Sequence, residues 1–273
     1  MAIERSTIVD ALDANLNSMH QDGLKSWNEE YSTIFNVETS DKQSEEDSYM
    51  SGFGPMPEKT EGAAATYDTI YPGIAETYTH LTYALGYELT EEAVEDNLRT
   101  PETFNKLPQA LARSAIETVE VTAANVFNNG FSTAGFDGQY LFSENHPKLG
   151  GGTQSNRPST HVDLSVTSLT AGLTAIEKYT DERSLKLPTK AKLLLIPPDL
   201  WNVAEELLKS EYKPYSANNE VNALQEKSLQ YTINHYLTDT DKLCVRAKSL
   251  LIKESLSSKY KNMVILGKQM ECN

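Results

Sequence analysis

The sequence predicts an α+β fold, and three patterns underlie that expectation. Leu111, Ala112, Ala115, Ile116, Val119, Ala123, Val126 and Phe127 recur at helical spacing and mark one broad apolar face of a long segment. In TYTHLTYALGYEL (77–89), Thr77, Thr79, Leu81, Tyr83, Leu85, Tyr87 and Leu89 alternate with their neighbours, which is the period of a strand. The unbroken apolar run AKLLLI (191–196) is that of a short buried strand.

Taken in order, the elements begin with an amphipathic helical region over 5–35. Ile8, Leu12, Leu16 and Met19 share a face, and Gly23 is expected to break the segment before Leu24, Trp27 and Tyr31. ETSDKQSEED (38–47) has the composition of a solvated loop. YMSGFGPMPEKTEGAAATYDTIYPG (49–73) contains too many glycines and prolines for a helix, so interrupted strands with a flexible tip around Glu58–Ala65 are expected.

The alternation then suggests one strand over 76–89. The thirteen residues 77–89 alone, at ~3.4 Å each, would reach ~45 Å, whereas strands usually have about 5–6 residues. A small core cannot cover both faces of such a strand, so it is expected to reach towards a neighbouring molecule. Thr100 and Pro101 suit a helix start as cap and first-turn proline. Pro108 is expected to open a second, longer helical segment of ~30 Å, stopped by Asn128-Asn129-Gly130.

Residues 130–160 show no sustained period, and loops beyond ~15 residues are usually functional or disordered. Helix returns over 167–180 with Leu169, Leu173, Ile176 and Tyr179. After the 191–196 strand, Asp199 is expected to cap a helix striped by Leu200, Val203, Ala204, Leu207 and Leu208. Residues 222–239 read as mixed structure ending in a strand around Leu229–Leu237. No internal repeat is evident.

Composition narrows the function classes. The 273 residues include 39 acids and 24 bases, a net charge of −15. Such a surface repels phosphate backbones and disfavours tight nucleic-acid binding by charge neutralisation, although it suits enclosing nucleic acid without gripping it. No apolar run approaches the ~20 residues that cross a bilayer, and MAIERSTIVDALDANL lacks the basic-then-apolar order of a secretion signal, so a cytosolic protein is expected. Cys244 and Cys272 are too few for a disulfide framework or a zinc site.

The most tempting chemistry lies in LFSENHPKLGGGTQSN (141–156). His146 stands beside Glu144 and Asn145, but adjacent residues rarely converge on one substrate, and Pro147 biases the histidine towards an extended or turn conformation. His146 is therefore expected to be a structural loop residue, tolerant of replacement at ~1 kcal/mol. His20, His80, His161 and His235 have no metal-binding spacing. Gly150-Gly151-Gly152-Thr153 lacks the following lysine and the preceding strand of a phosphate loop, which leaves flexible backbone as its reading. Asp181-Glu182-Arg183 and Glu205-Glu206 read as solvated charge runs. No catalytic, cofactor-binding or metal-binding residue is assigned.

The order of the pieces resembles the capsid fold of tailed phages, the Hong Kong 97 type, and most of all the major head proteins of the Mu-like prophage family. GYELTEEAVEDNL (86–98), FDGQYLFSENHP (136–147), GGGTQSN (150–156) and KLPTKAKLLLIPPDLWNVAEELLKS (186–210) carry the resemblance, within roughly residues 1–240. It implies an N-terminal arm (1–47), an extended loop built as a long hairpin (48–91), a spine helix with the peripheral domain (92–165) and an axial domain (166–241). It further implies a virion protein, assembled in the bacterial host cytoplasm, with no catalytic residues and no cofactor. Copies would associate as hexamers and pentamers in a shell around double-stranded DNA, with scaffold, portal and decoration proteins as further partners and no membrane. Some related capsids form covalent Lys–Asn links between subunits; Lys59 lies near the loop tip, but the sequence identifies no partner asparagine. Two other readings stand beside this one: an encapsulin-like compartment shell, and a small α+β hydrolase using His146.

The C-terminal stretch departs from the pattern. Residues 242–273 hold seven bases and two acids, a charge of +5 that leaves −20 on residues 1–241. This divergent basic tail is expected to be poorly ordered from Leu243 onward and to dock by weak, salt-sensitive contacts. SLLIKESL (249–256) and MVIL (263–266) are its apolar clusters, each able to form one short edge element.

Overall fold

The computed structural model describes residues 18–88, 101–159, 162–215, 220–239, 243–249 and 263–266. The chain forms two compact units, one from 1–34 with 80–123 and the other from 35–79 with 124–273.

The first unit contains a helical stretch over 18–26 (α1), a short helix Tyr31–Ile34 (α2) and most of the long helix Pro101–Asn128 (α3). The remainder of the expected N-terminal helix, before residue 18, lies outside the described residues, as does Thr100. Gly23 does not break α1. A Cβ there would stand 3.0 Å from the Ala112 Cβ and 3.4 Å from the Gln109 Cα, so the glycine allows close approach to α3. Pro108 does not start a second segment either; it sits buried inside one continuous α3. Proline in a helix interior removes one backbone hydrogen bond without necessarily ending the helix, and here the turns on both sides persist.

Glu120 falls off the apolar stripe in the sequence, yet it is 1% exposed. Its carboxylate accepts hydrogen bonds from the backbone N–H groups of Glu30 (2.7 Å) and Tyr31 (3.1 Å), satisfying donors that open α2. Two backbone donors make the burial of this charge tolerable.

In the second unit, Ser44–Met50 (β1) pairs antiparallel with Pro72–Thr79 (β2), from Ser44↔Thr79 to Met50↔Pro72. Two expectations change here. The acidic stretch contributes a strand, and β2 ends at Thr79 because the β1 ladder ends there. Residues 80–88 are exposed and outside any ladder, while Leu89 lies outside the described residues. Both faces of a two-stranded ribbon stay wet, so β1 carries Glu45, Glu46 and Asp47 without burying them deeply.

A four-stranded sheet has the order β6–β5–β7–β8. Thr189–Ile196 (β5) runs parallel to Gln230–Ile233 (β6) and antiparallel to Leu243–Ser249 (β7), which pairs in turn with Met263–Leu266 (β8). Residues 243–249 form an interior strand, registered from Thr189↔Ser249 to Leu195↔Cys244, and the rest of the basic tail, apart from 263–266, lies outside the described residues. Backbone pairing on both sides joins the strand to the fold. MVIL does form an edge element. β6 stops four residues short of the expected Leu237, although the Asn234 N–H still bonds the Ile196 carbonyl at 3.0 Å.

Helices Val166–Glu177 (α4) and Trp201–Lys209 (α5) belong to the core with this sheet. Ser165 and Ser168 cap α4 reciprocally. Asp199 is not the cap of α5: it lies inside a 3₁₀ turn, Pro198–Leu200, that leads into the helix. Leu169, Leu173 and Ile176 of α4 bury with Leu194 and Ile196 of β5 and with Ala204, Leu207 and Leu208 of α5. Each such leucine or isoleucine stabilises by roughly 1.5–3 kcal/mol relative to exposure.

Candidate functional site

Two stretches singled out in the sequence, the Gly/Pro-rich hairpin connection and the triple glycine, are held by one turn. That turn is 180–186, closed by a Thr180↔Lys186 bridge. Asp181 Oδ1 accepts from the N–H groups of Arg183 (2.9 Å) and Leu185 (2.7 Å), and Ser184 takes φ 64. Aspartate suits this position because its short carboxylate satisfies the turn's own donors.

Glu182 holds the glycine loop. Its Oε2 accepts from the Leu149 N–H at 2.8 Å and its carbonyl accepts from the Gly150 N–H at 3.2 Å. A Cβ on Gly150 would lie 2.6 Å from the Glu182 carbonyl oxygen, so only glycine permits this approach. Gly151 (φ 94) and Gly152 (φ 85) make the left-handed turn between two short strands, His146–Pro147 (β3) and Thr153–Gln154 (β4). The triple glycine is a packing and turn device. Asp181-Glu182-Arg183 is correspondingly no solvated charge run, since Glu182 is 8% exposed.

Arg183 holds the hairpin. Its Nη2 meets both Asp68 carboxylate oxygens at 2.6 and 2.7 Å, and its Nη1 donates to the Thr69 carbonyl at 3.2 Å. The guanidinium lies 4.8 Å from the centroid of the Tyr71 ring. Asp68 also accepts from the Gly54 N–H at 2.7 Å. Backbone donors from Gly54 and Thr69, followed by the Arg183 guanidinium, hold the Asp68 carboxyl below its ordinary range. Ser51, buried, donates its N–H to the Tyr71 carbonyl and accepts the Tyr71 N–H on Oγ, both at 2.9 Å. These contacts close the base of the connection between β1 and β2.

A second anchor is aromatic. Tyr49 of β1 meets Phe136 edge-on with centroids 5.9 Å apart, and burial together with the nearby Asp137 charge pushes its hydroxyl pKa up. Beyond both anchors the connection exposes Phe53, Met56 and Tyr67, the last two 97% and 94% exposed. Large apolar groups so far into solvent, on a segment fixed at its base, are what contact surfaces between molecules present.

The candidate catalytic group behaves differently. His146 Nδ1 lies 2.6 Å from Asp137 Oδ2, while its Nε2 is buried with no hydrogen-bond partner among the described residues. Glu144 pairs with Arg157 at 3.1 Å, and Ser143 Oγ donates to Gln139. The residues beside His146 therefore do not converge with it. Its partner Asp137 was missed in the sequence, where the FDG turn nine residues earlier gave the available hint. A cavity of about 910 Å³ between 155–159, 162–163 and α4 is lined by residues such as Ser155, Arg157, Ser168, Ala171 and Gly172, and not by His146. Among the described residues, no group of three or more His, Cys, Asp or Glu is arranged to hold a metal ion, and no helix is long and apolar enough to cross a membrane.

Residues 74–247 match the model of a family described as phage capsid protein. Over 147 residues the chain is 27% identical to the Mu-like prophage FluMu major head subunit of Haemophilus influenzae, covering 54% of this chain and 46% of that protein. The chain thus spans about half the length of this curated relative. Among solved structures it resembles the procapsid of bacteriophage JBD30, with a TM-score of 0.62 and 15% identity, over 86% of this chain and 100% of that one. It likewise resembles the JBD30 capsid decorated with minor capsid protein trimers, with a TM-score of 0.60 and 14% identity, over 87% of this chain and 100% of that one. At these identities the likeness is one of mixed helix-and-strand fold. The family match runs to residue 247, so it includes most of β7 and crosses the composition change at Leu243.

Proposed function

The chain belongs to the phage capsid protein family, and we propose that it is the major head subunit of a tailed phage or prophage, self-assembling into an icosahedral shell around double-stranded DNA. The observation that carries this reading is the clasped hairpin: a segment tied at its base by Arg183 and Tyr49, whose apolar tip has no cover among the described residues. Such a tip suits heterologous contact, in which a patch on one copy meets a different patch on the next and the rotation closes into a ring. In this reading the fold is of Hong Kong 97 type. The hairpin is the extended loop, α3 is the spine, and 166–241 supplies most of the axial domain. Hexamers and pentamers form in the host cytoplasm, with scaffold, portal and decoration proteins as further partners. The net charge of −15 supports enclosing DNA without binding it tightly. We read the protein as structural and non-enzymatic, with His146 orienting its own loop through Asp137.

Negative-stain microscopy of the purified chain tests the proposal. Closed particles of uniform size are expected, and replacing 56–66 by a short Gly-Ser linker is expected to leave a soluble subunit without particles. A parent chain that remains monomeric under all assembly conditions would overturn the reading, and normal particles from the linker variant would remove the tip from it.

A further inference from the structure

Residues 80–88, HLTYALGYE, have a clear strand alternation, yet all nine are exposed and none joins a ladder. Leu81, Tyr83, Leu85 and Tyr87 are 76%, 61%, 68% and 41% exposed, with no charged residue among 81–87. The β1–β2 ladder ends at Ser44↔Thr79, so β1 supplies no partner for them. Alternating apolar side chains on unpaired backbone are what a strand offers to another chain.

The segment is complementary to itself. Laid antiparallel against a second copy about a two-fold axis at Ala84, it sets Leu81 opposite Tyr87 and Tyr83 opposite Leu85. These aromatic–aliphatic pairs recur on both sides of the axis and lie on one face. In the same register the His80 imidazole faces the Glu88 carboxylate at each end, a complementary pairing. Slipping by one residue breaks every Leu–Tyr pair, setting Leu81, Tyr83 and Leu85 against Gly86, Ala84 and Thr82 in one direction, and slipping by two separates His80 from Glu88.

We propose that 80–88 is a self-pairing strand that joins two copies of this chain antiparallel, in the register centred on Ala84. The contact is isologous and so has two-fold symmetry, unlike the ring-forming contacts of the hairpin tip. A two-stranded ribbon is marginal alone, so the pairing acts together with other contacts between the same copies.

Directly opposed Cα atoms in an antiparallel pair are roughly 4.5–5.5 Å apart, inside the roughly 4.4–6.8 Å that a disulfide spans. Full-length Ala84→Cys protein under mild oxidation is therefore expected to give an 84–84′ link, identified by mass spectrometry of the joined peptides. Thr82→Cys is expected to give no 82–82′ link, because the register separates those positions by four residues, roughly 14 Å. Mixing Thr82→Cys with Gly86→Cys subunits is expected to give an 82–86′ link. Adding His80→Glu to Ala84→Cys should lower the 84–84′ yield severalfold. Absence of the 84–84′ link, or equally efficient 82–82′ linking, would overturn the pairing, and an unchanged yield with His80→Glu would overturn the register. Particles of the same samples are imaged in parallel. Normal shells without the 84–84′ link reject the strand pairing and leave the capsid reading standing, whereas 84–84′ dimers without shells do the reverse.

Discussion

Arg183 grips both carboxylate oxygens of Asp68 across 115 residues of chain, while its neighbour Glu182 binds the backbone of the glycine loop. Two consecutive side chains thus tie the hairpin and the loop to the same turn. Arg183→Lys keeps the charge but loses the planar fork and the stacking on Tyr71. The fold should survive, amide exchange at Gly54 and Thr69 should accelerate, and particle yield should fall severalfold. Asp68→Asn should act alike, and the double variant should be no worse than either single one. Additive losses would show that the two residues act separately.

The lowered Asp68 pKa fixes the direction of the pH response. A carboxyl depressed in the folded state contributes stability that is fully present above its unfolded value of about 4 and is lost as pH falls through the lower folded value. The clasp should therefore stay closed from neutral pH to about pH 5 and open only below roughly pH 4. Limited proteolysis of 54–69 against pH checks this, and release between pH 7 and 5 would contradict it.

Gly150→Ala forces a methyl group to within 2.6 Å of a backbone oxygen that cannot move without disturbing the clasp. The expected cost is about 1–3 kcal/mol, read as a lower denaturation midpoint. Gly62 has open space around it but φ 78, so Gly62→Ala strains only an exposed turn and should leave the glycine loop intact.

His146→Ala removes the partner of Asp137 Oδ2, on a side chain that is 9% exposed and keeps the Gln139 N–H on Oδ1. The structure raises the expected cost from the ~1 kcal/mol of a free loop residue to about 1–3 kcal/mol, the range for stranding a buried polar group. Chemical denaturation measures it. Particles should still form, and a hydrolytic activity abolished by the substitution would argue for the enzyme reading.

Truncation after Thr240 removes β7 and β8 and bares the β5 edge from Thr189 to Leu195. Since unpaired interior strands template association, an insoluble product is expected. A soluble truncated subunit with native circular dichroism would show that β7 is dispensable.

Periodicity made much of this fold legible. α3, α4, α5 and β5 each repeat one pattern long enough to outweigh local exceptions, and Asn128-Asn129-Gly130 marks the end of α3. β1 was hidden because SEEDSYM is polar on both faces, as a wet ribbon allows. β7 was hidden because LCVRAKS places basic residues in an interior strand. The clasp was the least visible feature. Glu182 and Arg183 look like any charge pair until tertiary contacts bring Leu149 and Asp68 beside them, and no local spacing encodes a partner 115 residues away.

The position of β7 also constrains synthesis. β5 is complete at Ile196, but its antiparallel neighbour begins at Leu243. At roughly 5–20 residues per second, a ribosome takes roughly 2–10 s to cover that interval. During that time one side of β5 remains unpaired on the nascent chain, so the sheet can close only late in translation. Crowded polysomes, or a pause between these codons, would lengthen that exposure, so expression temperature and codon choice over 197–249 should govern how much soluble subunit is recovered.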